Sequence, residues 1–385
     1  MSQDHAQASG RHIDFAPPAA DDADLASVAT VLRSGWWTTG PECEAFEKEL
    51  AAHLDGAFVV ATSSCTAALE IAAASVPVTA RARVGVPTWT FPSSALAVTR
   101  RGAEIVLLDV DPTTLNLAEE SLERAIDQGL DAVVGVHVGG VPLPSTIREV
   151  CAAAGLPLIE DAAHAFGATD GRGAVGGHGP LTCLSFYATK NLPCGEGGAL
   201  TTTDPDTAAF ARRYRLHGLG EGAEGRYRPG SLDVPDVTMA GIKGNLPDLL
   251  AAIGRTQLAR FPDMQRRRRE IVVRYRAALR QVDGVTCVPP ELAAGGADHL
   301  MVVLVPAGTD REAVRRAMSG AGIGTSVHFP PLHRLSWFRD NATVGPSGVA
   351  GAESVADRAL SLPLHPRLSD VDVDRVVAAL ADALP

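Results

Sequence analysis

Apolar residues fall along this chain in two alternating rhythms. In 21–32, Leu25, Val28, Val31 and Leu32 recur at helical spacing and Gly35 ends the run; in 41–54, Phe46 and Leu50 mark the inner face of a second helix with Lys48 outward. Apolar runs at 57–61, 84–87, 104–109 and 132–136 are short enough to predict buried strands. Helical patterns lie between them, in a stretch ending near Ser75, at 95–100 and at 118–128. This alternation predicts βαβ units and a mostly parallel sheet.

A helix at 145–154 leads to the run Leu156-Pro157-Leu158-Ile159, which ends on Glu160 and Asp161. A strand at 200–202 and a helix at 205–216 precede a glycine-rich segment to about Gly230, which has no periodicity and is expected to be a flexible loop. Then follow a helix at 249–260, a further helix carrying Arg266 to Arg269, a strand at 299–305, a helix at 311–317, a strand at 324–333 running into a loop, an apolar run at 359–364 and a helix at 371–384. These last elements predict a smaller α+β domain. The four consecutive arginines face different sides of their helix, which fits a solvated surface better than a nucleic-acid patch. The first ten residues are polar and are expected to fray.

Composition narrows the class. With 385 residues, 46% hydrophobic and 21% charged, the chain is that of a globular protein with a sizeable core. A net charge of -11 disfavours non-specific binding to nucleic acid or anionic membrane. There is no apolar run of about 20 residues and no apolar signal-peptide core at the start, so a cytoplasmic location is expected. The 6 cysteines are scattered and read as reduced, mostly buried thiols. His328 and His333 have no further ligand cluster at zinc-like spacing, so no metal site is expected.

The candidate chemistry rests on lysine. Only Lys48, Lys190 and Lys243 occur, in a chain that otherwise takes arginine as its cation. An ε-amine can lose its proton and add to an aldehyde, which a guanidinium cannot do. A loop lysine is ordinarily a solvated cation. Lys190, however, lies between an apolar strand and the glycine-rich turn Gly195-Glu196-Gly197-Gly198, and Asp161 closes the preceding strand. A carboxylate at the end of one strand and a lysine after the next are what pyridoxal phosphate requires, the lysine for a Schiff base and the acid for the ring nitrogen. Thr62 to Leu69 turns from a strand into a helix, where free amides and hydroxyls can hold an anion, although capping alone also explains them. An aromatic in the turn after 84–87, which holds Trp89 and Phe91, can lie flat on a cofactor ring, and either could be core. His137 could face substrate or be structural.

The segment Glu160-Asp161-Ala162-Ala163-His164-Ala165, with Ser185-Phe186 and the Lys190-Asn191 pair, resembles the DegT-type sugar aminotransferases. The resemblance runs from about Gly35 to the C-terminus. It implies the fold of fold type I pyridoxal phosphate enzymes: a large α/β domain at 1–255, with a mostly parallel, mixed seven-stranded sheet between helices, and a small C-terminal α+β domain at 256–385. It also implies that Thr66 and Ala67 hold the cofactor phosphate beside Cys65, which stands where relatives have glycine. Ser185 matches a phosphate-binding hydroxyl, and His164 stands beside the phenolic oxygen. The resemblance favours Phe91 as the aromatic on the cofactor ring, with Trp89 in reserve. Asn245 would reach a neighbour's phosphate across a homodimer with shared sites. Lys243, His328, His333 and Trp37 would lie toward the substrate, Lys243 reading equally well as a surface cation.

The implied activity is amino transfer from glutamate to a nucleotide-linked keto sugar, first a (d)TDP-4-keto-6-deoxyhexose at C-4, in amino sugar, antibiotic or glycan biosynthesis. Keto-cyclitols are also substrates in the family. Relatives that dehydrate sugars replace the lysine with histidine, so Lys190 counts against that reading. A non-catalytic regulator would be expected to lose the cofactor set, yet Asp161, Ser185, Lys190 and Asn245 stand together.

Overall fold

A computed structural model of the chain describes residues 11–220 and 236–385. The expected fraying of the first ten residues, and the expected flexible loop where it covers 221–230, lie outside the described residues. The strands are β1 (Phe58–Thr62), β2 (Arg83–Pro87), β3 (Glu104–Leu108), β4 (Ala132–Val136), β5 (Leu158–Asp161), the short hairpin β6 (Thr169–Asp170) and β7 (Gly173–Ala174), β8 (Thr182–Ser185), β9 (Gly198–Thr202), β10 (Thr286–Val288), β11 (Met301–Leu304), β12 (Ala342–Val344) and β13 (Ala359–Leu362). Eight of them form one sheet in the order β1-β9-β8-β5-β4-β2-β3-β12. Only β9 runs against the rest, pairing antiparallel with β1 and β8.

The sheet therefore has one strand more than the seven expected. The eighth, β12, comes from the C-terminal third and pairs in parallel with β3, Ala342 opposite Ile105. At three residues it is too short to leave an alternation in the sequence. The second, small sheet is antiparallel, in the order β10-β11-β13. Its core holds Ile271, Tyr275, Val303, Met318, Leu362 and Val376, drawn from that sheet and from the helices around it.

Two expectations for the C-terminal region are corrected. The helices expected at 249–260 and around the arginines are one helix, Asp248–Leu279, with Pro262 inside it. Proline ordinarily interrupts a helix by removing an amide and crowding the preceding turn. Here the buried positions Gly254, Gln257, Phe261, Arg268, Ile271 and Tyr275 keep helical spacing across it, and packing on both sides of the proline outweighs the break. The position 255/256, expected to divide the domains, lies within this helix. The strand expected at 324–333 is not formed: Ser326 makes an isolated bridge to Ser361, and Leu332–Arg334 is a 3-10 turn. Pro330 and Pro331 offer no amide to a ladder there.

Long-range caps and buried charges tie the layers together. Helix Asp22–Ser34 ends at Gly35, whose φ of 75 is the left-handed conformation that suits a glycine C-cap. Helix Pro41–His53 begins at Gly40, which has no side chain to cap it. Asp248 does so from the start of the long helix, accepting from the amides of Gly40 at 2.7 Å, Glu42 at 3.2 Å and Cys43 at 3.0 Å. An N-terminal strap crosses the small domain: the Ile13 amide donates to Gly322 O at 2.9 Å, the Gly324 amide to Ile13 O at 2.9 Å, and Arg11 pairs with Asp372.

Glu47 is buried between helix Pro41–His53 and the edge of the large sheet. Its carboxylate takes the Ala61 amide at 2.9 Å and the guanidinium groups of Arg215 and Arg212, while Arg215 also donates to Ala61 O at 2.7 Å. Burial pushes the Glu47 pKa up, but the two arginines outweigh it and hold it below the ordinary value. The paired carboxylate thus stabilises the fold above the unfolded-state pKa of roughly 4.3, and that contribution is lost as pH falls through the lower, folded value. Arg215→Met leaves the buried Glu47 with Arg212 as its one remaining guanidinium partner among the described residues and removes a charged hydrogen bond, so it is expected to lower the unfolding free energy by about 1.5–3 kcal/mol at pH 7. Urea denaturation of variant and wild type checks this, with the difference shrinking below about pH 4.

Candidate active site

Because every strand of the large sheet except β9 runs the same way, the carboxyl ends of β1, β2, β5 and β8 share one edge. This edge is where open α/β sheets bind ligands. The turns leaving it carry Ser64 to Thr66, Thr90 and Phe91, Asp161 to His164, and Ser185 to Lys190, and they line a cavity of about 360 Å³. The small domain supplies His299, Leu300, His328, Phe329 and Leu364 to its other walls, and the N-terminal strap supplies Phe15.

Side chains alternate along β5, so Glu160 and Asp161 serve opposite faces. Glu160 faces the scaffold, where Arg148 grips it at 2.8 and 2.7 Å and His137 Nε2 meets it at 2.9 Å. Burial pushes its pKa up, but these partners prevail and hold it at about 2. His137 is therefore structural: it is fully buried, and its Nδ1 accepts the Leu143 amide at 3.0 Å, so the ring proton sits on Nε2 toward Glu160. Asp161 is 4% exposed and faces the cavity. Its Oδ2 accepts from Ser94 Oγ at 2.6 Å, and its Oδ1 accepts from the Ala163 amide at 3.1 Å and from Cys65 Sγ at 3.8 Å. Burial and the nearby Asp161 charge raise the Cys65 thiol well above its ordinary pKa, so it stays protonated and can donate.

Lys190 hangs from a turn in which its amide donates to Tyr187 O at 2.8 Å. Burial of the side chain lowers the amine to about 8, against the opposing pull of Cys65 and Asp161. Next to it, Cys194 is buried with Sγ donating to Glu196 O at 3.3 Å, and burial lifts its thiol to about 12, so it serves the turn rather than any reaction. His164 lies on the cavity wall, where burial, then Lys190 and His328, push it well below its ordinary pKa. Its Nδ1 accepts the Gly139 amide at 3.3 Å, which leaves the proton of the neutral ring on Nε2.

The remaining expected residues divide. Thr66, Ser185, Phe91 and His328 stand on the cavity wall, with His328 lowered to about 4 by burial and by Lys190 and bonded through Nδ1 to Ser361 Oγ at 3.0 Å. Ala67 is one residue deeper in helix Cys65–Ser75, its amide donating to Ser64 Oγ at 3.1 Å. Phe91 is 55% exposed at the rim, whereas Trp89 is fully buried and donates to His328 O at 3.0 Å. Asn245 and Lys243 are bonded to each other beside the β1 turn, where Gly244 O accepts the Ser63 amide at 2.7 Å; Asn245 also donates to Thr39. His333 is held by Thr88 Oγ1 at 2.7 Å and by Glu353, and Trp37 donates to Leu32 O at 3.2 Å on the surface, both outside the cavity lining.

Several residues on the cavity wall or directly behind it left no mark in the sequence pattern. Ser94 sits in the first turn of helix Pro92–Thr99, where a serine usually means only capping. His299 arrives from the loop before β11, Phe15 from the N-terminal strap, and Phe329 from the segment where a strand was expected and is not formed. Phe15 stacks on His328 with ring centroids 5.3 Å apart, and Phe329 stacks on His164 at 5.6 Å.

The donor set suits pyridoxal phosphate. A buried amine that can lose its proton and a buried carboxylate held by donors share the cavity. Thr66, Ser185 and the start of helix Cys65–Ser75 offer hydroxyls and amides to a phosphate. The turn is pressed against β9: a Cβ at Gly198 would lie 2.5 Å from the Cys65 nitrogen, so only glycine lets the helix start where it does.

Comparison with known proteins agrees with this geometry. The model of the DegT/DnrJ/EryC1/StrS aminotransferase family matches residues 18–381. The spore coat polysaccharide biosynthesis protein SpsC of Bacillus subtilis (strain 168) is 38% identical over 375 residues, 96% of each chain. The crystal structure of the aminotransferase TlmJ from Streptoalloteichus hindustanus shares 35% identity and a TM-score of 0.88, covering 96% of this chain and 98% of that one. Spr1654 of Streptococcus pneumoniae in its PLP form shares 26% identity and a TM-score of 0.88, covering 97% and 98%. The chain thus belongs to the DegT/DnrJ/EryC1/StrS aminotransferase family, the sugar aminotransferases that work with pyridoxal phosphate.

Proposed function

We propose that this aminotransferase moves the amino group of L-glutamate to a keto sugar carried on a nucleoside diphosphate, first a (d)TDP-4-keto-6-deoxyhexose at C-4. The observation that carries the reading is the joint burial of the Lys190 amine and the Asp161 carboxylate in one cavity of about 360 Å³ with an aromatic rim. The sugar fits a wall that is largely apolar and aromatic yet holds single polar groups, the arrangement that orients small ligands. Within the same proposal the enzyme is a cytoplasmic homodimer in amino sugar, antibiotic or glycan biosynthesis, with Asn245 reaching the neighbour's phosphate and Lys243 beside it. No helix among the described residues is long and apolar enough to cross a membrane.

Bound pyridoxal phosphate would supply an aldehyde to carry the amino group and a ring that accepts electrons. Lys190 would hold it covalently, Asp161 would keep its ring nitrogen protonated, and Ser94 would keep Asp161 aimed. His164 would donate from Nε2 to the phenolic oxygen, Thr66 and Ser185 would take the phosphate, and Phe91 would cover one face. Once released by the amino donor, the Lys190 amine is the base that takes a proton from the donor's α-carbon. Its burial keeps the neutral, basic form populated near neutral pH, which an ordinary lysine with a pKa of roughly 10.4 would not.

Absorbance spectra of wild type and Lys190→Ala, loaded with pyridoxal phosphate, test the assignment. Wild type is expected to show a visible band that glutamate bleaches, and the variant to lack it and to lose amino transfer by about 10³-fold. A wild type with no bindable chromophore would sink the reading. Lys190 should also react as a free amine with a midpoint near pH 8, since burial removes its proton early. Reductive methylation of the cofactor-free protein between pH 6 and pH 10, followed by peptide mass spectrometry, reads that midpoint.

A further inference from the structure

The histidine that the sequence did not announce has its tautomer fixed by its surroundings. His299 is 6% exposed, and its ring lies over that of His164 with centroids 4.4 Å apart and planes at 35°. The Gln265 amide donates to Ala297 O at 2.8 Å, which leaves Gln265 Oε1 as an acceptor. Asn191 Nδ2 donates to Ala297 O at 2.6 Å and to Gln265 Oε1 at 3.2 Å, so Asn191 presents its oxygen to His299 Nδ1 at 2.9 Å. An oxygen can only accept, so the ring proton of His299 is on Nδ1. Burial, with His164 and Lys190, keeps the ring neutral by pushing its pKa well down. In a neutral ring of that tautomer Nε2 carries a lone pair and no proton.

That lone pair has no partner among the described residues, and the ring lines the cavity. His164, by contrast, offers its Nε2 proton to the same space. The wall therefore displays one donor and one acceptor side by side, each fixed from behind by backbone amides or by the Asn191 and Gln265 side chains. An acceptor that opens on the cavity is met by water until a ligand displaces it, and a ligand with no donor at that point leaves it unpaired, so the position favours a ligand that brings one. Asn191 follows Lys190 directly, which places His299 close to the reacting amine. Of the two substrates, the sugar alone brings hydroxyl donors besides its reacting group.

We propose that His299 Nε2 accepts a hydrogen bond from the sugar hydroxyl next to the carbon that receives the amine, and so makes that hydroxyl a requirement of the site. This inference rests on the keto-sugar reading above. The cofactor-binding residues would make the site an aminotransferase, and His299 would decide which keto sugar is taken. The chain Gln265, Asn191, His299 acts as its support, holding the acceptor in one orientation.

The test compares wild type, His299→Asn and His299→Gln. Asparagine keeps a group at the Nδ1 position and loses the cavity acceptor; glutamine keeps an amide oxygen at the Nε2 position. Each loaded enzyme is given dTDP-4-keto-6-deoxyglucose and its 3-deoxy counterpart in single turnovers, and glutamate bleaching is timed separately. Wild type is expected to prefer the 3-hydroxy sugar by about tenfold or more, His299→Asn by less than about twofold, and His299→Gln to keep most of the preference. Glutamate bleaching should change by less than about threefold in all three, which an effect on cofactor binding would not allow. Calorimetry on cofactor-free protein adds a readout without turnover: affinity for dTDP-4-amino-4,6-dideoxyglucose should fall about tenfold in His299→Asn. An unchanged preference in His299→Asn, or equal loss in both variants, overturns the proposal while leaving the keto-sugar reading intact. If wild type bleaches with glutamate but aminates neither sugar, the keto-sugar reading fails first and this inference with it.

Discussion

A buried amine facing a buried carboxylate governs this molecule. Taking such groups out of water costs several kcal/mol for each ion unless the protein supplies partners. Asp161 receives them from Ser94, the Ala163 amide and the Cys65 thiol. Lys190 receives fewer, and the imbalance appears as an amine lowered to about 8. The strain on the amine is its usefulness, because a lysine that gives up its proton near neutral pH can serve as a nucleophile and as a base.

The scaffold exists to hold that pair. Parallel strands bring their carboxyl ends to one edge, and the single reversed strand β9 presses the β1 turn into place. Acids that could compete for charge are held elsewhere, Glu160 on the opposite face of β5 by Arg148 and a hydrogen bond from His137, and Glu47 at the sheet edge by Arg212 and Arg215. The histidines that remain around the cavity, His164, His299 and His328, are all driven neutral by burial and by Lys190. Around Lys190 and Asp161 the cavity wall is thus lined largely by neutral groups, with Glu196 the other carboxylate on it.

What could be read from sequence follows from range. The βαβ alternation, Asp161 at a strand end and Lys190 before a glycine turn are local patterns, and the strands, helices and cavity are built around them. Elements fixed by distant partners were hidden. Strand β12 exists because β3 offers it an edge, and the helix over Asp248–Leu279 runs through Pro262 because both of its halves are packed. The strand expected at 324–333 is lost to two prolines whose positions were visible but whose neighbours were not. Trp89 and Phe91 stand two residues apart, and only the three-dimensional turn sends one into the core and the other to the rim. His299 and Phe15 belong to the cavity, and Ser94 stands behind Asp161, through tertiary contacts alone.

The N-terminal strap gives the enzyme an order of assembly. Phe15 can reach its place on the cavity wall only after Gly322, Gly324 and His328 are in position, and Arg11 only after Asp372. On the ribosome these early residues emerge first and find their partners last. Much of the large domain can fold while they wait, but the wall that closes the cavity cannot form until nearly all of the chain has been made. Synthesis itself thereby withholds a finished substrate pocket from any incomplete copy of the protein.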